Sequence, residues 1–143
     1  MSRGRSAAGQ VLFVDTSAWV ALVNAADPCH EHVREAVGAA RRLVTTNYVV
    51  DETITLVRRR LGHRAAVQVG EVVRDPAEVQ TVWIDTALDQ DAWSLFRARQ
   101  DKAYSFTDCA SFVVMRSLGI STALATDRDF AHEGFAVIPP APS

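Results

Sequence analysis

Four carboxylates stand at positions where a folded chain could bring them together. Asp15, in "VLFVDTS", and Asp127, in "LATDRDF", each follow an apolar run that has the look of a buried strand. Glu52 interrupts the apolar helix pattern of "NYVVDETITLV", and Asp108 falls in the first turn of "SFTDCASFVVM". Glu52 lies between Val49 and Leu56 on the helical wheel, nearer the buried side, whereas Asp51 shares a polar face with Asn47, Tyr48, Thr55 and Arg58. Charge buried at such places is costly unless something positive is held there. Four carboxylates within some 5 Å would repel by about 3 kcal/mol per pair at an effective dielectric near 20. A hard divalent cation offsets that repulsion. With oxygen donors and no His or Cys nearby, Mg²⁺ or Mn²⁺ fits better than zinc. Such an ion keeps waters and leaves room for phosphate oxygens, which is equipment for phosphodiester hydrolysis.

Each acid has a plainer reading. Asp15 and Asp127 could be helix N-caps, Asp108 a dipole-favoured helix start, and Glu52 a structural partner of an arginine. Their joint placement favours chemistry. "CHEH" (29–32) is set aside, because His30 and His32 point to different faces of a helix. Arg58, Arg59 and Arg60 lie about 10 Å along a helix from Glu52 and either contact nucleic acid or answer the helix dipole. Trp19, Trp83, Trp93 and Phe112 are expected in the core or in dimer contacts, and His63 and His132 offer no catalytic geometry.

The elements that must position these groups alternate between strand and helix. "VLFVD" reads as a strand buried on both faces, followed by a helix in "SAWVALVNAAD" and a second one capped by Asp27, with Pro28 at its first position. "LVTT" is a strand, "YVVDETITLVRRRLG" a long helix stopped by Gly62, and "HRAAVQVGEVVR" another helix. "VQTVWI" is a strand, "LDQDAWSLFRARQ" a helix, and residues 101–107 an extended link into the helix of "TDCASFVVMRSLG". "STALAT" (strand), "DRDFAHE" (a helical turn) and "FAVIPP" (strand) complete the chain. This order predicts an α/β three-layer sandwich, with a central parallel sheet of four to five strands and helices on both faces. Its functional rim is where the strands end at their C-termini.

The 143 residues suit one domain, expected over residues 11–139, with loose tails at 1–10 and 140–143. Net charge is −2, and setting aside the four carboxylates leaves 15 basic against 13 acidic side chains, with Lys102 the only lysine. Any nucleic-acid contact must therefore be local. Cys29 and Cys109 have neither metal-ligand nor redox spacing and read as thiols in a reducing compartment. No run is long enough to span a bilayer and no signal peptide is apparent, so a cytoplasmic protein is expected. A phospho-receiver would need a lysine at a late strand end, but Lys102 precedes a helix. A D-x-S-x-S metal site fails at Trp19.

Taken together, "VDTSAW", "TTNYVVDETITLVRRR", "YSFTDCASFVVMRSLGI" and "ALATDRDF" resemble PIN-domain ribonucleases, and within them the VapC-type toxins of bacterial toxin–antitoxin pairs. The resemblance spans residues 11 to 139. It implies Asp15 and Asp108 as principal ligands of Mg²⁺ or Mn²⁺, with Glu52 and Asp127 completing the site directly or through water. Thr16, Ser17 and Thr126 match polar residues that orient the carboxylates or the phosphate, and Asp129 matches an acidic position found in some members. The implied activity is a metal-dependent endoribonuclease leaving 5′-phosphate and 3′-hydroxyl ends. It would act as a homodimer, with a VapB-type antitoxin blocking the metal site. The alternative is a non-catalytic module of the same fold that binds RNA or protein.

Overall fold

The computed structural model describes residues 9–139. Five parallel strands, β1 (Val11–Val14), β2 (Arg42–Thr46), β3 (Val79–Val82), β4 (Thr122–Leu124) and β5 (Ala136–Ile138), form one sheet in the order β3-β2-β1-β4-β5. Seven helices connect them: α1 (Thr16–Val23), α2 (His30–Ala39), α3 (Asn47–Leu61), α4 (His63–Val73), α5 (Thr86–Ala98), α6 (Phe106–Leu118) and α7 (Asp129–His132). The chain runs outward from β1 to β3 and then crosses back beyond β1 to β4. Right-handed crossovers therefore put α1–α4 on one face and α5–α6 on the other. The reversal opens a crevice beyond the C-terminal ends of β1 and β4. The expected sandwich and its parallel sheet are what the chain forms.

Local chemistry sets the ends of the elements that reach this crevice. β1 is apolar on both faces because both are covered, and Leu12, Phe13 and Val14 are fully buried. At its end the Asp15 amide donates to the Leu124 carbonyl at 3.0 Å, and the Thr45 hydroxyl donates to the Val14 carbonyl at 3.1 Å. Thr46 caps α3 through Oγ1, which accepts the Val49 amide, and Gly62 ends it at φ 95, a conformation that favours glycine. α6 opens with a reciprocal capping box. Ser105 Oγ accepts the Asp108 amide at 3.0 Å and Asp108 Oδ2 accepts the Ser105 amide at 2.9 Å.

Several expectations need correction. Asp27 does not cap α2, which begins at His30. Its Oδ1 accepts the Cys29 amide at 2.8 Å and closes a turn ahead of the helix instead. The segment 101–107 is extended only at 103–105, because Asp101 and Lys102 turn and α6 has begun by Phe106. Trp19 and Phe112 are buried, but Trp83 and Trp93 are 69% and 52% exposed and do not belong to the core. Trp83 follows the edge strand β3, and Trp93 stacks on Phe96 with ring centroids 5.9 Å apart, both rings edge-on to Phe106 at the start of α6.

Glu133 fastens the far side of the sheet. Its side chain is only 4% exposed and accepts from Arg99 Nε at 2.9 Å, Arg116 Nη2 at 3.0 Å and the Tyr104 hydroxyl at 3.0 Å. It thereby ties the end of α5, the body of α6 and the link leading to Asp108. The hydrogen bonds from Arg99, with those of Arg116 and Tyr104, hold the Glu133 carboxyl down at about 2 against its burial. A depressed carboxylate contributes stability above its unfolded value near 4.5, and that contribution is lost as pH falls from there toward about 2. Glu133→Gln should lose about 2 kcal/mol at pH 7 and flatten the acid limb of stability across this window, read by urea unfolding at a series of pH values.

Candidate active site at the strand ends

A cleft of about 650 Å³ opens at the C-terminal ends of β1 and β4, and Asp15, Glu52, Asp108 and Asp127 all line it, with Thr16, Ser17 and Thr126. The four acids therefore come together from the first strand, α3, α6 and the turn after β4. Asp129 does not line the cleft, but its charge reaches Asp108.

Asp15 is the deepest of them, 3% exposed. It is the N-cap of α1, with Oδ2 accepting the Ser17 amide at 3.2 Å and the Ser17 hydroxyl at 2.7 Å. That hydroxyl also accepts the Thr126 amide at 3.0 Å, so one oxygen joins the turn after β1 to the turn after β4. Asp15 Oδ1 is buried with no hydrogen-bond partner among the described residues. Glu52 is held by Thr16 rather than by an arginine: the Thr16 hydroxyl donates to Glu52 Oε1 at 2.6 Å. Asp127 is exposed, and its Oδ1 accepts the Asp129 amide at 3.0 Å.

Burial raises Asp15 to about 7, and the charges of Asp108 and Asp127 add to it against the opposing Ser17 hydrogen bonds. Burial likewise raises Asp108 to about 6, aided by Asp129 and Asp127 and opposed by the Ser105 amide. The acids thus share one electrostatic field. They are not packed as tightly as expected, however: among the described residues no three His, Cys, Asp or Glu side chains stand at metal-holding spacing. Like charges repel, and Asp108 and Asp127 each have an oxygen committed to a local backbone amide.

The donors nonetheless fit a hard cation. They are all oxygen, and a buried carboxylate oxygen without a partner at Asp15 is the kind of atom a cation satisfies. The cleft also contains residues outside the expected set. Asp27, Asp51, Ser105 and Thr107 line it, as do Arg59 and Arg60. Ser105 was detectable from its S-x-x-D spacing to Asp108. Asp27 and Asp51 carry no local signal of a site, since a half-buried Asp beside a turn and an exposed Asp on a helix are both common.

A PIN-domain family model matches residues 12–135. The chain belongs to the PIN-domain family and, within it, to the VapC-type endoribonuclease toxins. It is 40% identical over 138 residues to the 23S rRNA-specific endonuclease VapC20 of Mycobacterium tuberculosis strain CDC 1551 / Oshkosh, covering 91% of this chain and 99% of that protein. The VapC20 of strain ATCC 25618 / H37Rv matches to the same extent. The crystal structure of M. tuberculosis VapC20, described as a sarcin–ricin loop cleaving toxin, superposes with a TM-score of 0.83 at 39% identity, covering 87% of this chain and 96% of that one. Among the described residues no helix is long and apolar enough to cross a membrane.

Because Asp15 is raised, its linkage runs opposite to that of Glu133. Its contribution is present below its unfolded value of 3.8 and is lost as pH rises through about 7. Asn keeps the cap and removes the charge. In chelator-treated protein at pH 8, Asp15→Asn should therefore be more stable than the unsubstituted chain by about 1–2 kcal/mol, and the two should converge near pH 4. Thermal melts at both pH values check this.

Proposed function

We propose that the cleft is the catalytic centre of a Mg²⁺- or Mn²⁺-dependent endoribonuclease, and that its substrate is the sarcin–ricin loop of 23S rRNA. The observation that carries the reading is the buried Asp15 carboxylate, with one oxygen held by Ser17 and the other unpartnered among the described residues in a field of further acids. Near-complete coverage of a relative named for cutting 23S rRNA supports the substrate.

Asp15 and Asp108 would be the principal metal ligands, with Glu52 and Asp127 completing the set directly or through water. A bound divalent ion supplies a water of lowered pKa and stabilises charge on the attacking and leaving oxygens. The chain's own residues do the positioning. Ser17 fixes the orientation of Asp15 and locks it to the Thr126 backbone. Thr16 holds Glu52 from across the cleft. The Ser105 capping box fixes Asp108 and leaves its other oxygen for the site. Thr107 and Thr126 also line the cleft, and their hydroxyls would orient a phosphate there. Asp129 would act from behind, through its charge on Asp108. The working form would be a homodimer, held inactive by a VapB-type antitoxin whose C-terminal segment covers the cleft.

With a sarcin–ricin stem-loop RNA and Mg²⁺ or Mn²⁺, the chain should cut once and leave a 5′-phosphate. A chelator should stop cleavage, and Asp15→Asn or Asp108→Asn should slow it at least about a thousandfold, the scale seen when a main electrostatic contributor is removed. Cleavage by purified Asp108→Asn at the original rate would remove the metal-site reading. Cleavage of other RNAs but not this loop would remove only the substrate.

A further inference from the structure

Three arginines in a row end α3, and the fold separates them. Arg59 lies two helical turns from Glu52, about 10 Å along the axis and on the same face, and with Arg60 it lines the acidic cleft. Arg58 instead lines a groove between α3 and α4 with Ile54, His63 and Val67. All three are exposed, and all three lie near the negative end of the α3 dipole. The dipole accounts for basic residues here, but not for two of them lining a cleft with six carboxylates. Among the described residues neither the Arg59 nor the Arg60 side chain makes an ion pair or hydrogen bond, although Asp51 and Glu52 lie about two turns away on the same helix. Two unengaged guanidiniums at one end of an acid-lined cleft suit an anion that enters from outside and runs toward the carboxylates.

We infer that Arg59 and Arg60 clamp the RNA backbone at a phosphate neighbouring the scissile one, and that Arg58 takes no part. The inference rests on the cleft being the RNA-cleavage site. They stand about two turns of α3 from Glu52, and the role assigned to them is positioning of the backbone, not contact with the reacting atoms. Guanidinium forks hold phosphate oxygens in pairs, and a backbone anchored at one phosphate presents the next in a fixed register. A neighbouring wall of carboxylates repels any phosphate not paired in this way, so the clamp also selects which segment of backbone may enter.

Binding and cleavage separate the two readings. Sarcin–ricin stem-loop RNA is titrated by fluorescence anisotropy in an Asp108→Asn background over a range of salt concentrations. Arg59→Ala/Arg60→Ala should weaken binding about tenfold near physiological salt and reduce the slope of log K against log salt by about 1.4, since each single-stranded phosphate contact contributes about 0.7. Arg58→Ala should change neither. With Asp108 restored, the double variant should raise KM about tenfold and move kcat less than about twofold. Arg59→Lys/Arg60→Lys should recover most of the loss, because a point charge still holds phosphate. A double variant that matches Arg58→Ala in KM and in salt slope overturns the clamp, as does failure of the Asp108→Asn chain to bind the RNA. A parent chain that binds with the full salt slope but never cuts would instead overturn the nuclease reading and leave the clamp standing.

Discussion

The structure turns on one carboxylate divided between two duties. Asp15 caps α1 with Oδ2, through the amide and hydroxyl of Ser17, and keeps Oδ1 buried with no partner among the described residues. Capping alone would be served as well by an exposed Asp. Burial beside Asp108 and Asp127 costs stability and lifts the carboxyl toward neutrality. Such an expense at a strand-end rim is the kind of local strain that accompanies binding sites, and the proposed cation would relieve it. Each other acid is similarly divided. Asp108 closes a capping box and Asp127 closes a turn, each through one oxygen, while Glu52 accepts from Thr16. The plainer reading holds for Asp15 and Asp108, which do cap or open helices, but not for Asp127, which closes a turn without capping α7, nor for Glu52, whose partner is Thr16 and not an arginine.

The scaffold meets this demand with topology. Reversal of the strand order beside β1 opens the crevice, and parallel strands deliver Asp15 and Asp127 to the same rim although more than a hundred residues separate them. A few long-range contacts then tie the parts together. Ser17 couples the turns after β1 and β4, and Glu133, on the opposite side, anchors the link into Asp108 through Arg99 and Tyr104.

Much of this was legible in the sequence because it follows from periodicity. Apolar runs ending in Asp announce strand ends, and the helical wheel sets Glu52 apart from Asp51. What escaped notice depended on distant partners. Glu133 gives no local sign, since Arg99, Tyr104 and Arg116 lie 34, 29 and 17 positions away. Trp83 and Trp93 have apolar side chains, and only their places, past the edge strand and at the rim of the α5–α6 contact, leave them more than half exposed. The arginine run could be read as a dipole match, but which of its members enter the cleft depends on the phase of α3 against α1 and α4.

The uneven placing of the three tryptophans gives the molecule a built-in optical probe. Trp19 is fully enclosed one turn beyond Asp15, and its amide donates to the Asp15 carbonyl at 3.1 Å, whereas Trp83 and Trp93 face water. A water-borne quencher such as iodide has access to the outer two in this chain and not to Trp19. The residual glow comes from a side chain on α1, the helix that Asp15 caps, so its colour and lifetime report on the packing behind that cap with no label attached.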